Sequence, residues 1–513
     1  MTAALSARGT FVVVVGVTLA GQFGAVAYEV VAAARFGTGR DADALALALM
    51  LALTVANEVV AWVSTLFVPL YIRTETEGGP AAAARLLRTG LLAVGGLVGV
   101  LALGLAVGAG GLVALLAPGG DVAASARRLV GLFAPLVILA PVAAMLAGVL
   151  QAHGRFVAAA LRQLCWYGAA LVALVLFVSR LGVASVPVGM VAGFAVFCAL
   201  LAAGVRRTAP VSGAGGGGAL DVRTLVAMLP LLALASGANY VNVAVERGIA
   251  AHLPEGSLAA LTYAFRLLNL PVNLFLLNAA TMLFTPLARA AAAGEMAASR
   301  DLVQRALHLA LLFTTPLAAL GLALAQPVVR VLLERGAFTA GSTELTAAAL
   351  GLYAPAVVGM AGVHVLTRAY QALWEIRRLA WSNVAVILVN VPLMFGLTAL
   401  LGFRGLPVAT SINWILLFVV MLAGIAPRLP GLDCAGLMAA AVRASTASAV
   451  AGGVAWVVGG HGAAGARDLL MGGVAGLAAY VLVLWLLSRS DVRTVVEFLA
   501  PGWVRRLGAR GQR

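Results

Sequence analysis

Charge is the scarcest property of this chain. Only 10% of the 513 residues are charged, whereas 63% are hydrophobic and the mean hydropathy is +1.05. No soluble globular domain needs so large an apolar fraction for its core, so the composition excludes a soluble enzyme or a soluble binding domain. It indicates a polytopic membrane protein.

Lysine is absent, since all 34 basic residues are arginine. This usage is typical of a GC-rich genome rather than of one site chemistry. The net charge of +15 is spread over the predicted loops, so it does not indicate nucleic-acid binding. Its distribution predicts, by the positive-inside rule, that both termini lie in the cytoplasm.

Residues that hold metals and cofactors are also few. Cys165, Cys198 and Cys434 are scattered through apolar surroundings without metal-ligand spacing, and the five histidines are dispersed. The chain has no phosphate-binding P-loop and no HExxH motif. We therefore predict no metal site, no cofactor, no ATP hydrolysis and no enzymatic activity.

The apolar segments are long enough to cross a bilayer about fourteen times, at roughly 20 residues per crossing. The first segment has no convincing cleavage site, so it is expected to stay in the protein. The predicted fold is all-α. The expected spans are 10–34, 44–71, 89–108, 125–150, 157–180, 184–205, 224–248, 258–287, 304–325, 343–368, 380–401, 405–426, 436–458 and 467–488.

One stretch interrupts this pattern, because the glycine-rich run near residue 215 cannot form a packed or spanning helix. It predicts two pseudo-symmetric six-helix lobes that face each other across a central cavity, followed by a further helix pair. The predicted parts are an N-lobe at 1–205, a cytoplasmic linker at 206–223, a C-lobe at 224–428, a helix pair at 429–488 and a basic cytoplasmic tail at 489–513.

A polar pattern repeats between the two lobes. Gln22 lies seven residues before Glu29, and Asn239 lies seven before Glu246, at an offset of 217 residues. Seven residues are close to two helical turns, so each amide shares a helix face with its carboxylate. Short Ala/Arg-rich segments follow in both lobes, at 79–88 and 294–303, and are predicted to be interfacial helices. Internal duplication with polar groups inside the membrane is typical of transporters.

Ionisable residues inside the membrane are functional candidates, because a buried charge is costly unless it is paired or faces water. Arg266 would suit an anionic substrate, since guanidinium binds phosphate oxygens in two-pronged fashion. Glu29, Glu58 or Glu246 could act as its counter-ion or as a proton-coupling group, and the sequence leaves this choice open. For Asp43 and Glu246, a helix-end position reaching the interface is the alternative. Pro271 is a candidate hinge.

Several motifs resemble the MurJ/MviN lipid II flippase family. They are FGTGRDADA at 36–44, FVPLY at 67–71, the stretch from Glu246 to Phe275, and the stretch from Arg335 to Leu373. The resemblance covers most of the chain. It implies the multidrug/oligosaccharidyl-lipid/polysaccharide exporter fold and flipping of lipid II, a polyprenyl-pyrophosphate-linked glycan, by alternating access in the bacterial inner membrane.

The resemblance also implies which residues line the cavity. Arg266, within YAFRLLNLP, matches the family's eighth-helix arginine, and Asp43 matches its second-helix aspartate; Asn269 joins them as a predicted substrate-binding residue. Gln22 and Tyr28 stand where the family has first-helix arginines. The predicted polar lining residues are Gln22, Tyr28, Asn57 and Asn239.

This departure keeps three further functions open. They are export of another lipid-linked polysaccharide, exchange of cationic drugs for protons, and a transport-inactive scaffold role in envelope synthesis. The expected partners are a polyprenyl-linked lipid and membrane lipids, with cell-wall synthesis proteins as further candidates and no nucleic acid.

Overall fold

The computed structural model describes residues 7–63, 67–116, 121–208, 242–279, 285–459 and 465–499. Every regular element in these ranges is a helix, which confirms the all-α prediction. The chain divides into two compact units. Unit 1 comprises Met1–Ala259 with Arg335–Phe338, and unit 2 comprises Ala260–Glu334 with Thr339–Arg513.

Unit 1 is a helical bundle. Its helices are α1 (Ala7–Phe36), α2 (Arg40–Trp62), α3 (Val68–Leu116), α4 (Asp121–Ala152), α5 (Phe156–Ala160), α6 (Arg162–Leu181), α7 (Ser185–Thr208) and α8 (242–251). Helix α4 packs against α2, α3 and α7, and α6 packs against α1 and α7. The bundle therefore has α4 near its centre.

Helix α9 begins in unit 1, and unit 2 starts at Ala260 within this helix. The helices are α9 (Ser257–Ala279), α10 (Thr285–Ala292), α11 (Met296–Ala323), α12 (Ala325–Leu333), α13 (Ala340–Tyr353), α14 (Ala356–Ala372), α15 (Ile376–Leu401), α16 (Gly405–Ile425), α17 (Cys434–Gly459), α18 (Ala466–Leu487) and α19 (Arg489–Leu499). Helix α11 packs against α14 and α17, α16 packs against α14 and α15, and α17 packs against α18.

Many of these helices are able to cross a membrane. Within the described ranges, nine helical stretches are long and apolar enough, or ten if α13 and α14, bent by 48°, form one span. Two of the nine stretches are 53 residues long. The first contains the short helix α5 followed by α6 and α7, and the second contains α15 and α16. The chain is a multi-pass membrane protein, and the predicted number of fourteen spans is not confirmed.

The same type of turn joins α6 to α7 and α15 to α16. Gly182 ends α6 and Gly402 ends α15, each with φ of 56°. A three-residue 3₁₀ turn then leads into α7 or α16. Glycine adopts this left-handed conformation without the penalty that a Cβ brings, which is why it terminates both helices. The recurrence supports the internal duplication predicted from the polar repeat.

The predicted interfacial helices differ from those observed. Residues 294–303 mostly belong to the long helix α11, and residues 80–88 run without interruption into the rest of α3. The short amphipathic element is instead α10, and its counterpart is the start of α3. Gly79 and Gly294 interrupt the helical backbone after these short elements, with φ of 75° and 73°. Glycine rather than the Ala/Arg composition therefore sets the boundary.

The predicted lobe boundary at 206–223 stays a prediction, because 209–241 lie outside the described residues. In the described part, α8 belongs to unit 1. The start of the predicted tail forms α19, whose Asp491 is only 1% exposed. Asp491 accepts hydrogen bonds from His308 Nε2 at 3.0 Å and Arg443 Nε at 2.9 Å, so it ties α19 to α11 and α17.

Candidate functional site

Polar residues of α1 lie against α6 inside unit 1. Tyr28 is 1% exposed and its ring lies 5.6 Å from that of Tyr167, and Glu29 is 8% exposed. Gln22, which lies seven residues before Glu29 on the same helix, is half-buried. The α1–α6 packing is close, since a Cβ on Gly21 would approach Gln163 Cβ to 2.9 Å. Glu29 is therefore held in the protein interior rather than at a lipid-facing surface.

Asp43 binds the amino end of α9. Its carboxylate accepts hydrogen bonds from the backbone N–H groups of Gly256 and Ala259, each at 2.7 Å. These three residues belong to unit 1, and Asp43 is 7% exposed. A carboxylate at a helix amino end satisfies N–H groups that have no partner within the helix, and it interacts favourably with the helix dipole. Asp43 thus acts as a remote cap for α9.

An ion-pair network lies beside this cap. Arg40 contacts Glu255 at 2.9 Å and Asp121 at 3.0 Å. All three side chains are more than half exposed. Because solvent-exposed pairs contribute at most about 1 kcal/mol, the buried Asp43 carboxylate is the stronger contact at this end of unit 1.

The two polar residues near the end of α2 have different surroundings. Glu58 accepts a hydrogen bond from Trp62 Nε1 at 2.8 Å, one turn further along the same helix. Asn57 instead lines a cavity of about 370 Å³ within unit 1. The other polar residues that line this cavity are Gln151, Arg162 and Trp166.

The predicted substrate-binding residues Arg266 and Asn269 lie on α9, one turn apart. Thr262 and Asn273 continue the same stripe, because the positions 262, 266, 269 and 273 are spaced by three or four residues. Arg266 is half-buried in the middle of the helix. Asn269 Nδ2 donates a hydrogen bond to Phe265 O at 2.7 Å. These four positions form a polar stripe along one face of α9.

Pro271 lies within α9, and the helix continues past it to Ala279. A proline inside a helix removes one backbone hydrogen bond and favours a kink. Its role as a hinge stays a prediction.

The carboxylate of the second repeat lies on α8. Glu246 and Asn242 are each 8% exposed and are four residues apart on one face. Asn239, the repeat counterpart of Gln22, lies outside the described residues. Asn242 was missed by the sequence analysis because the pairing was sought at a spacing of seven, although the spacing of four was visible in ANYVNVAVE.

Arg162 was also missed, although it lies within the span predicted at 157–180. It lies near the start of that predicted span. The signal available in the sequence was RQLCWYG, where an arginine and a tryptophan are four residues apart and therefore share a helix face.

No cluster of three or more His, Cys, Asp or Glu side chains able to hold a metal occurs within the described ranges. The three cysteines are free. The acidic candidates Glu29, Asp43 and Glu58 therefore do not form a cluster of this kind.

Comparisons with known proteins agree with the fold. The structure matches a solved lipid II flippase MurJ in an inward closed conformation, with a TM-score of 0.76 over 94% of this chain and 99% of that chain, at 18% identity. It also matches an inward-facing multidrug resistance MATE family transporter, with a TM-score of 0.69 over 82% of this chain and 98% of that one, at 16% identity. Identities this low show a shared fold.

Proteins of similar sequence carry the same description as the first of these solved structures. A probable lipid II flippase MurJ from Rhizobium meliloti is 29% identical over 304 residues, which are 56% of this chain and 55% of that protein. One from Thermotoga maritima is 27% identical over 36% of this chain and 38% of its own length. The chain thus spans about half the length, or less, of these curated relatives. The sequence model described as "Lipid II flippase MurJ" matches residues 32–463, so the chain belongs to that family.

Proposed function

We propose that this protein is a flippase that moves lipid II, a polyprenyl-pyrophosphate-linked glycan, from the inner to the outer leaflet by alternating access. The observation that carries the proposal is the family match over residues 32–463. The fold shared with MurJ and MATE proteins supports a transporter rather than an enzyme. The proposed location is the bacterial cytoplasmic membrane, with both termini in the cytoplasm.

In this proposal, Arg266 binds the pyrophosphate. A guanidinium stays charged at any physiological pH and presents paired donors that match phosphate oxygens. Asn269 and the adjoining polar positions of α9 bind the polar groups that follow. The α9 stripe supports this role because it offers donors along one face of a mainly apolar helix.

We assign the buried carboxylates to coupling. Glu29 and Glu246 are each 8% exposed, so a proton or cation bound there would be shielded from solvent. Transport would then be driven by an ion gradient or the membrane potential. Asp43 contributes differently, since its cap on α9 stabilises one conformation and must be released if α9 moves. Pro271 is the proposed bending point of that helix.

Complementation tests the function directly. The gene is expressed in a strain depleted of its own lipid II flippase, and growth and cell shape are scored. We expect rescue by the wild type and loss of rescue by Arg266→Ala, whereas Arg289→Ala, an exposed arginine of α10, should rescue fully. Failure of the wild type to rescue, despite normal membrane insertion, would exclude lipid II transport in that host.

The same strains separate the alternatives. Rescue requires transport, so a scaffold without transport activity would not restore growth. A proton-coupled drug antiporter would show drug-dependent proton exchange in vesicles and no rescue. Rescue that survives Arg266→Ala would leave the flippase function standing and remove the headgroup role of Arg266.

A further inference from the structure

A tryptophan occupies a backbone position that favours glycine. Trp374, in the turn between α14 and α15, has φ of 59° and is the one non-glycine residue with positive φ among those described. In this left-handed conformation a Cβ comes too close to the following carbonyl oxygen, a conflict that glycine avoids. The backbone of this turn therefore gives no reason for a tryptophan.

Equivalent turns elsewhere in the chain do use glycine. Gly154 follows α4 with φ of 74°, and Gly294 follows α10 with φ of 73°. In all three turns the left-handed residue donates its N–H to the carbonyl three positions earlier, and the next residue donates to the carbonyl five positions earlier. The bonds of the α14–α15 turn are Trp374 N to Gln371 O at 3.3 Å and Glu375 N to Tyr370 O at 2.9 Å. Glycine is the usual residue in such a helix end, so the tryptophan side chain itself must have a use.

That use lies outside the described part of the chain. The Trp374 side chain is 86% exposed, and it forms no hydrogen bond or ring contact with any described residue. The preceding residue, Leu373, packs against the core of unit 2, so the turn is docked while the tryptophan projects from it. The indole is therefore presented to the surroundings of the protein.

The turn that presents Trp374 is held in place by ion pairs. Glu375 contacts Arg378 at 3.1 Å and Arg428 at 2.8 Å. Arg428 is the last residue of the 53-residue stretch that starts at Ile376 and contains α15 and α16. Both ends of this helix pair thus meet at the turn, which places Trp374 at one end of two helices that are able to cross a membrane.

The charge around the turn is positive. Arg377, Arg378 and Arg428 are exposed there, whereas Glu375 is the carboxylate that pairs with two of them. Arg377 forms no ion pair with any described residue. Three arginines against one carboxylate leave a net positive surface, which fits an anionic partner.

The exposed face of α15 indicates that this partner is a membrane lipid. Trp381, Leu388 and Phe395 are 61%, 70% and 58% exposed, and they share one face because they are seven residues apart. Arg377 lies one turn before Trp381 on the same face. The face therefore starts with an arginine and a tryptophan and continues with apolar side chains. This is the order found where a helix enters the hydrocarbon from the headgroup layer.

We propose that the α14–α15 turn is a binding site for anionic phospholipid headgroups, in which the Trp374 ring lies at the headgroup level beside Arg377. An indole suits this position because it has an apolar body and an N–H donor. A guanidinium binds phosphate oxygens in two-pronged fashion. This inference goes beyond the proposed flippase function, since it concerns the lipid that surrounds the protein and not its cargo.

Direct binding to the purified full-length chain tests the site. Phosphatidylglycerol is titrated into the protein in detergent, and bound lipid is measured by native mass spectrometry. Trp374→Gly should weaken binding about 10-fold, as expected when a large apolar side chain no longer leaves water. Arg377→Gln should weaken it about 5-fold, the contribution of one basic residue at an anionic surface.

Stability separates lipid binding from a purely structural role of Trp374. In lipid-free detergent, Trp374→Gly should unfold at the wild-type temperature or above it, because glycine suits the left-handed backbone. In lipid nanodiscs, replacing phosphatidylcholine by phosphatidylglycerol should raise the midpoint of the wild type and raise that of Trp374→Gly less. A midpoint of Trp374→Gly that is equally lowered in detergent and in both lipids would show a structural role and overturn the proposal.

Two controls address the charge and the lipid. Arg467→Gln removes an exposed arginine from α18, a different helix of unit 2, and should bind phosphatidylglycerol as the wild type does. Phosphatidylcholine has the same phosphate but no net charge, so it should bind the wild type more weakly. Equal affinity for the two lipids would overturn the assignment to anionic headgroups.

The variants also decide between a lipid and a protein partner. Unchanged phosphatidylglycerol binding by both Trp374→Gly and Arg377→Gln refutes the site. If Trp374→Gly then also fails to rescue the flippase-depleted strain, the surface is reassigned to a protein. A wild-type chain that does not rescue, but binds phosphatidylglycerol with the expected dependence on Trp374 and Arg377, would refute the flippase proposal and leave this site standing.

Discussion

The Asp43 cap on α9 makes a quantitative prediction about stability. Two charge-assisted hydrogen bonds of 2.7 Å end on one carboxylate that is 7% exposed. A hydrogen bond to a charged group contributes about 1.5–3 kcal/mol. Both bonds share one carboxylate whose burial is itself costly, so we expect Asp43→Ala to destabilise unit 1 by about 2–4 kcal/mol.

Asp41→Ala is the matched control. Asp41 lies in the same first turn of α2, but its side chain is exposed. Because a surface substitution usually changes stability by less than about 0.5 kcal/mol, this variant should behave as the wild type. Asp43→Asn should be intermediate, since the amide keeps one acceptor oxygen but turns a donor toward the α9 N–H groups.

Thermal unfolding in detergent measures the effect. At about 2–4 °C per kcal/mol, the value for 150–250 residues, a loss of about 2–4 kcal/mol should lower the apparent midpoint by about 4–16 °C. Asp41→Ala should leave it unchanged. Equal midpoints for the two alanine variants would refute the reasoning, because the two hydrogen bonds would then contribute no net free energy to the folded state.

Two further substitutions test other contacts in the same way. Gly336→Ala should lower the unfolding midpoint more than Gly294→Ala. Both glycines have positive φ, 60° and 73°, but of the two only Gly336 has a neighbour, the Ala34 carbonyl oxygen, with which a Cβ would collide. Equal losses would show that the clash relaxes at no cost. Asp491→Ala leaves Arg443 and His308 without their buried partner, so it should lower the free energy of unfolding by about 1–3 kcal/mol and expose α19 to proteases. Asp301→Ala, which removes an exposed pair with Arg300, should have neither effect. Resistance of α19 to proteolysis in Asp491→Ala would show that apolar packing alone holds it.

Much of the architecture followed from the sequence. Apolar segment length and scarce charge predicted a multi-pass helical protein, because in a bilayer each backbone group must find its partner within the helix. The motifs from Glu246 to Phe275 predicted the family, which the match over residues 32–463 confirms. Helix boundaries were less accurate, since Gly79 and Gly294 set them through backbone conformation that composition does not reveal.

The arrangement of the candidate site residues was also only partly predictable from the sequence. Periodicity places Arg266 and Asn269 on one face of α9, because that relation depends only on helical spacing. Contacts between distant segments were not predictable. Asp43 meets Gly256 more than two hundred residues away, and Arg162 shares a cavity with Asn57 from another helix.

The sequence by itself determined that the protein crosses a membrane and belongs to the lipid II flippase MurJ family. These properties depend on hydropathy, spacing and local motifs. Only the tertiary structure decided that Asp43 caps α9, that Asp491 holds α19 and that Arg162 lines a cavity. Such relations depend on how helices pack, and packing is fixed by many weak contacts between residues that are far apart in the chain.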